Sequence, residues 1–478
     1  MHMPRNAGPF HIVGIGGIGM SAIAEILLEL GYTVQGSDTK DSANVRRLRN
    51  RGLRVFIGHD PVNLIGARCV VISSAIKPDN VELLAARQRG LIVIKRADML
   101  AELMRLRSTV SVTGTHGKTT TTSLIAHIFE KAQLDPTVIT GGIVNSWGTN
   151  ARLGKGEWMV VEADESDATF IRLPSQIGVV TNIDPEHLDY FGTVERMEAA
   201  YRVFYTSLPF YGAAVTCIDH PVVRRMLKES AHDISARVLT YGQSEGADLR
   251  VCNIRSDRDS TLFDVEVASR VRGGHRIIMG LQMPVPGDHM ALNATAALAV
   301  AAEAGIDDDM VRPAIASFSG VKRRFTQAGT WNGVVFYDDY AHHPVELAAT
   351  LKSARRTTRD RVIAIFQPHR YSRVSGLFDD FCACFSDADV VLVLPVYSAG
   401  EKPLPGIDHK SVAAGIRKTG HSGVHPVDSE AELAPVIRQL SRPGDLVVGL
   451  GAGTISEWIY ALPEQLNGTA RKAVGGSH

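Results

Sequence analysis

Residues 110–123 read V-S-V-T-G-T-H-G-K-T-T-T-T-S: an apolar run, a glycine loop and a threonine-rich stretch. This order predicts a strand, a phosphate-binding turn and the start of a helix. Backbone N–H groups of Gly114, Thr115, His116, Gly117 and Thr120 would cradle β- and γ-phosphates, Lys118 would supply a point charge, and the Thr119 hydroxyl would ligate Mg2+. Four residues usually separate the two glycines. Here that earlier position is Val112, so the loop shortens to the variant G-x-x-G-K-T.

A second glycine loop lies upstream. Residues 11–24 read H-I-V-G-I-G-G-I-G-M-S-A-I-A, which places Gly14, Gly16 and Gly19 between an expected strand and an expected helix. Such glycines let the backbone turn tightly and approach a diphosphate, and the helix start offers unpaired N–H groups and the positive end of a dipole. Asp38 follows Gly19 by 19 residues, after a further apolar run, where such folds place an acid near a ribose. These features alone favour NAD or FAD. Backbone donors read phosphate and not base, so the loop leaves the nucleotide open.

The elements that must carry these loops follow α/β grammar. Short apolar runs alternate with helical patterns in three series: 11–13, 34–37, 69–73 and 92–94; then 109–113, 158–161, 177–181 and 213–217; then 334–337, 362–366, 390–394 and 446–450. Each series predicts a mostly parallel sheet. The stretch 248–286 differs, because the alternation in 261–267 suggests antiparallel strands that would extend the central sheet. At 478 residues the chain suggests two to four domains, and we expect three, at 1–107, 108–325 and 326–478. The fold class expected is α/β: a Rossmann-like N-terminal domain, a P-loop-type central ATPase domain and a Rossmann-like C-terminal domain.

Composition narrows the function. Lysine plus arginine equals aspartate plus glutamate at 51 each, so no global field draws the chain to nucleic acid or an anionic membrane. Five scattered cysteines fit a reducing compartment, and C-x-C at Cys382 and Cys384 has no companion pair, which favours buried packing over a metal site. The first ten residues lack the apolar run of a signal peptide or anchor. The longest apolar stretch, 294–302, is far shorter than the ~20 residues of a membrane span. A cytoplasmic protein without membrane insertion is expected, and no feature sets an oligomeric state.

The loop G-T-H-G-K-T-T-T-T-S resembles the Mur ligase superfamily, and further segments resemble it in the same order. V-V-E-A-D-E-S-D carries Glu162 at the end of an apolar run, where the family places a Mg2+-binding carboxylate, with Glu165 as the alternative. N-I-D-P-E-H-L-D-Y (182–190) carries His187 as a second metal-side ligand. P-G-D-H-M-A-L-N-A (286–294) carries Asn293 near the adenine base. G-V-K-R-R-F and Y-D-D-Y-A-H-H-P supply Arg324, Asp338 and His342, and F-Q-P-H-R-Y-S-R supplies His369, Arg370 and Arg373.

Within the superfamily the likeness is to the member that adds L-alanine to UDP-N-acetylmuramate. Other members use a carbamylated lysine after the His187 equivalent, whereas 188–212 contains no lysine, so none is expected here. The resemblance implies that Gly14, Gly16, Gly17, Ile18, Gly19, Asp38 and Ser73 bind the UDP-sugar. It makes Lys118, Glu162, His187, Arg324 and His342 catalytic, and Thr119, Glu162 and His187 metal-side. Arg324 and Asp338 would join the ATP site, and His342, His369, Arg370 and Arg373 would face the amino acid. ATP and two Mg2+ ions are the implied cofactors.

A carboxylate is a poor acyl donor, so ATP would first convert it to an acyl phosphate, which the alanine amine then attacks. Because acyl phosphates hydrolyse readily, the C-terminal domain is expected to close over the central one. Three alternatives stand beside this. A dinucleotide-dependent oxidoreductase would leave Lys118 idle. A regulatory module would bind ATP without substrate-dependent phosphate release, and a ligase recycling muropeptides would take a peptide in place of alanine.

Overall fold

The computed structural model describes residues 7–73, 75–105, 107–166, 168–257 and 259–468, with the backbone but not the side chain of Asp189. The first six residues of the N-terminal stretch, Asp167 of the E-A-D-E-S-D run, Arg258 of the alternating stretch and the tail 469–478 lie outside the described residues. The chain forms two compact units. One comprises the residues through Asn253 with Phe263–Leu281 and Leu292–Ser319; the other comprises Ile254–Leu262, Gln282–Ala291 and the chain from Gly320 onward.

The first sheet lies in the first unit and has five strands, in the order Arg54–Ile57, Val34–Asp38, Phe10–Val13, Cys69–Ile72, Ile92–Lys95. All four pairings are parallel, as the alternation implied. Phe10–Val13 is buried at every position, its one polar residue His11 included, as suits a strand covered on both faces. Helices α1 (Ile18–Glu29), α2 (Ala43–Asn50), α3 (Val81–Gln88) and α4 (Arg96–Met104) connect or follow these strands. The order reverses beside Phe10–Val13, so the loop that follows this strand opens at the switch point where doubly wound sheets bind ligands.

The central sheet has ten strands. From one edge they are Arg276–Met283, Thr261–Val267, Leu249–Ser256, Arg237–Gly242, Ala213–Cys217, Ile177–Val180, Ser108–Thr113, Trp158–Glu162, Thr137–Val144 and Thr149–Arg152. The stretch 248–286 thus supplies three neighbouring strands that extend the sheet. Helix α5 (Lys118–Lys131) leaves the central strand Ser108–Thr113 through the short phosphate loop. Its wall of threonines, Thr119 to Thr122, is buried at 6% exposure or less, which suits a helix packed against a sheet rather than one facing water.

The third sheet belongs to the second unit, in the order Thr326–Trp331, Val334–Asp339, Leu446–Leu450, Val362–Phe366, Val390–Val393, Val424–Pro426. It is parallel except at the edge pair Thr326–Trp331 and Val334–Asp339. That edge strand, the hairpin Thr137–Val144/Thr149–Arg152 and the short strands Arg54–Ile57 and Val424–Pro426 lie outside the three series read from the sequence. Each mixes polar or glycine residues into its run, so its pairing depends on a neighbour and not on local apolarity.

One apolar cluster runs through the first two sheets, joining Phe10, Ile23 and Met99 to Met159, Phe170 and Tyr201. The third sheet has its own, around Phe336, Ile365 and Val447. Cys382 and Cys384 are buried free thiols, as expected for packing. Among the described residues no helix is long and apolar enough to cross a membrane.

Candidate active site

The phosphate loop is built by backbone conformations that only glycine adopts easily. Gly114 has φ +126° and Gly117 has φ +83°. A Cβ at Gly114 would run into the Thr181 hydroxyl, and one at Gly117 would stand 2.7 Å from Asn293 Oδ1. The second contact sets Asn293, the expected base-side residue, directly over the loop. Gly117 caps α5 without any side-chain hydrogen bond, so the first N–H groups of the helix face the loop, ready for an anion.

Two carboxylates engage neighbouring residues of the loop. Thr119 Oγ1 donates to Glu162 Oε1 at 2.9 Å, and the other Glu162 oxygen accepts from Thr140 Oγ1 at 3.0 Å and Gly141 N at 2.5 Å. Lys118 Nζ donates to Gly114 O at 2.7 Å, Thr115 O at 3.0 Å and Glu165 Oε1 at 2.9 Å. Burial opposes the Lys118 charge, but Glu165, Asp164 and Glu162 outweigh it and keep the ammonium protonated. Burial raises the Glu165 carboxyl despite Lys118, with Asp164 and Glu186 adding to the rise.

Glu165, Glu186 and His187 bring one ligand atom each to within 4.8 Å of one another, with His187 Nε2 3.6 Å from Glu165 Oε1. His187 sits at φ +55°, a left-handed conformation that begins the short helix Leu188–Phe191 and is uncommon for a non-glycine residue. Both glutamates of E-A-D-E-S-D are therefore engaged: Glu162 with Thr119, and Glu165 with Lys118 and His187.

Sequence reasoning missed the groups around His116. Its Nε2 lies 3.1 Å from Asp184 Oδ2, while His220 Nε2 lies 3.1 Å from Asp184 Oδ1. Burial would raise Asp184, but hydrogen bonds from the two histidines hold its carboxyl far below the usual range. Asn182 Oδ1 accepts the His116 N–H at 2.7 Å. Asp184 and Glu186 both stand inside N-I-D-P-E-H, so the motif marks them, whereas His220 comes from another segment and has no local signal.

At the first sheet, Gly14 turns at φ +74° and α1 starts at Gly17 with no side-chain cap. Asp38 is tied to this loop, with Oδ2 accepting from Gly16 N at 2.9 Å and Oδ1 from Lys40 N at 3.1 Å. A cleft of about 380 Å³ beside the loop is lined by Gly14, Asp38, His59, Ile76, Lys77 and Asn80, among others. Ser73 follows the neighbouring strand Cys69–Ile72 and is not part of that lining. His59, a further missed residue, faces the cleft and lies 3.1 Å from Glu82 Oε2. Asn150 Nδ2, from the central sheet, donates to Ile18 O at 2.9 Å and so links the start of α1 to that sheet.

The second unit gathers the remaining residues. The His342 and His369 rings are 5.8 Å apart, His369 stacks on Tyr397 at 5.4 Å, and Arg373 Nη1 is 3.1 Å from His369 Nδ1. Burial, with the charges of His342, Arg373 and Arg370, lowers His369 to about 3, so the ring is neutral. Arg370 adopts φ +68° and donates from Nε to Glu401 Oε1 at 2.6 Å; Glu401 also accepts from Ser372 N at 3.0 Å. Tyr397 and Glu401 were not legible, since both come from a distant loop. Arg324 lies beside the Tyr340 ring, its Cζ 5.2 Å from the centroid. Asp338 Oδ2 accepts from Ser456 Oγ at 2.6 Å, while Oδ1 is buried with no hydrogen-bond partner, an acceptor open to a hydroxyl donor.

Models of three protein families match the chain: Mur ligase family, catalytic domain, over residues 9–108; Mur ligase middle domain over 112–301; and Mur ligase, glutamate ligase domain, over 323–453. A UDP-N-acetylmuramate–L-alanine ligase of Methylobacterium radiotolerans is 55% identical over 472 residues, covering 98% of this chain and 100% of the relative. One of Rhodopseudomonas palustris is 54% identical over 466 residues, covering 98% and 99%. Among solved structures, the UDP-N-acetylmuramate–alanine ligase of Thermotoga maritima matches with a TM-score of 0.80 at 27% identity, over 97% of this chain and 100% of that one. A murein peptide ligase of Psychrobacter arcticus shares the fold at 22% identity and a TM-score of 0.69, over 96% and 98%.

Proposed function

The chain belongs to the Mur ligase family, and we propose from that premise how its residues divide the work of one reaction. The reaction joins L-alanine to the carboxylate of UDP-N-acetylmuramate with cleavage of ATP to ADP and phosphate, in peptidoglycan precursor synthesis. Residues 1–107 hold the UDP-sugar, 108–325 hold ATP, and 326–478 bring the amino acid.

The loop 114–120 cradles the triphosphate, with Asn293 toward the base. Lys118 and Arg324 stabilise the charge that builds as a carboxylate oxygen attacks the γ-phosphorus and the bond to ADP breaks. His342, His369, Arg370 and Arg373 hold alanine so that its amine reaches the acyl carbonyl. The new C–N bond then forms, phosphate leaves with the C–O electron pair, and the amine gives up its protons. The oxygen donors near the loop fit a hard divalent cation: Thr119 and Glu162 would hold one Mg2+, and Glu165, Glu186 and His187 a second. When bound, Mg2+ supplies neutralisation of phosphate charge. We place the reaction in the cytoplasm, where ATP and nucleotide-linked sugars meet.

The observation that carries the ligase reading is the pairing of Thr119 with Glu162 and of Lys118 with Glu165 on one loop, a phosphoryl-transfer arrangement. An oxidoreductase leaves it without a task. The test is ADP release with UDP-N-acetylmuramate, comparing L-alanine with a tripeptide. Alanine-dependent release is expected, and release driven by tripeptide alone would sink the reading.

A further inference from the structure

One guanidinium lies against the first glycine loop and has no part in the assignments above. Arg96 opens α4, which packs on one side against α1 and on the other against the 3-10 turn Thr169–Arg172 that follows the acidic segment. The Arg172–Asp98 pair, 3.4 Å, fastens that second side. A Cβ at Gly19 would lie 2.9 Å from Arg96 Nη1 and 3.5 Å from its Cδ, so the arginine lies across the first turn of α1 in the space a side chain would take. Gly19 has no left-handed backbone to require glycine; what it provides is room for Arg96.

Among the described residues no hydrogen bond or ion pair engages the Arg96 guanidinium, although it is half-buried. By contrast Lys118 is held by Glu165. A partly desolvated, planar cation beside an uncapped helix start matches the geometry of a phosphate, whose oxygens accept two parallel N–H bonds.

We propose that Arg96 is a substrate-positioning residue that grips the diphosphate of the UDP-sugar, seated at the loop by Gly19. The inference rests on the reading of the reaction given above. It assigns the third glycine of the first loop to packing an arginine, and it explains how a loop that reads phosphate only through its backbone gains a charged contact.

Steady-state kinetics on the full chain test it. Arg96→Gln should raise KM for UDP-N-acetylmuramate about 10- to 100-fold, the range of a lost charge-assisted pair, with KM for ATP and kcat within about threefold. UDP, as a competitive inhibitor against that substrate, should lose affinity by the same factor. Arg96→Lys should fall between the two. Gly19→Ala should reproduce the shift in a folded protein, yet add little in the Arg96→Gln background. An unchanged KM, a fall confined to kcat, or a raised KM with UDP inhibition intact would each overturn the proposal, the last by moving the contact to the sugar's carboxylate. A wild-type chain that releases no ADP with UDP-N-acetylmuramate would instead overturn the parent reading.

Discussion

Both carboxylate oxygens of Glu165 lie 2.9 Å from the Lys118 ammonium, with the Glu165 side chain buried and that of Lys118 15% exposed. The lysine is therefore held charged and in place before nucleotide arrives, which is the preorganisation a phosphoryl-transfer site needs.

Removing that charge should be felt as the γ-phosphoryl transfers. Lys118→Ala is expected to lower kcat by on the order of 10²–10³ while UDP-sugar binding survives. Single-turnover kinetics, together with direct titration of the UDP-sugar, check both halves, and a fully active variant would remove Lys118 from the mechanism.

Gly16→Val is expected to act through the protein rather than through direct collision with the ligand. Its Cβ would stand 2.8 Å from Val45 Cγ2 and 2.9 Å from both Asp38 Oδ2 and Ser42 Oγ, so the loop must shift away from α2 and carry its N–H groups with it. KM for UDP-N-acetylmuramate should rise about tenfold or more, with ATP binding kept. Loss of ATP binding with UDP-sugar binding intact would show the two loops reversed.

Glu82 makes stability depend on pH. It is fully buried and accepts from Ser37 at 2.5 Å and Asn63 at 2.8 Å. Burial would raise it, but hydrogen bonds from His11, Ser37 and Asn63 bring it to about 2. A carboxyl lowered on folding stabilises the fold above its unfolded value of about 4.3, and that contribution is lost as pH falls toward 2. Glu82→Gln should thus lower Tm by several degrees at pH 7, with the gap to wild type closing below about pH 4. Calorimetric scans across pH 3–8 measure it; a gap that widens in acid would reverse the sign.

Amino-acid choice should be imperfect. Alanine differs from glycine by about one methylene and from serine by one hydroxyl, differences worth about 1–3 kcal/mol in an apolar pocket. Glycine and L-serine should react at raised KM, while bulky residues are excluded. D-alanine should fail more sharply, since inversion at Cα moves the amine off the line of attack when the carboxylate is anchored at His342 or Arg370. Competition read as kcat/KM decides this, and equal use of D- and L-alanine would refute it.

Much of the site could be read from short segments because its physics is local. Gly14, Gly114 and Gly117 do adopt the positive φ their loops imply, and the apolar runs at 11–13 and 109–113 lie in the strands Phe10–Val13 and Ser108–Thr113 that feed them. The spacing offers Glu162 and Glu165 as alternatives for one role, whereas in the fold Glu165 turns back to Lys118 while Glu162 faces Thr119. That choice depends on side-chain direction after a strand end, which spacing does not encode.

What the sequence determined by itself was the α/β grammar, the two phosphate loops and the family, since each is written in contiguous residues whose spacing follows backbone geometry. Only the tertiary structure decided which distant groups complete them. Asp184 meets His116 and His220 across 68 and 36 positions, Glu401 meets Arg370 across 31, and Arg96 lies over Gly19 from a helix four strands later along the chain. Such partners are chosen by packing and by the need to satisfy buried charge, which act through space and leave no periodic trace along the chain.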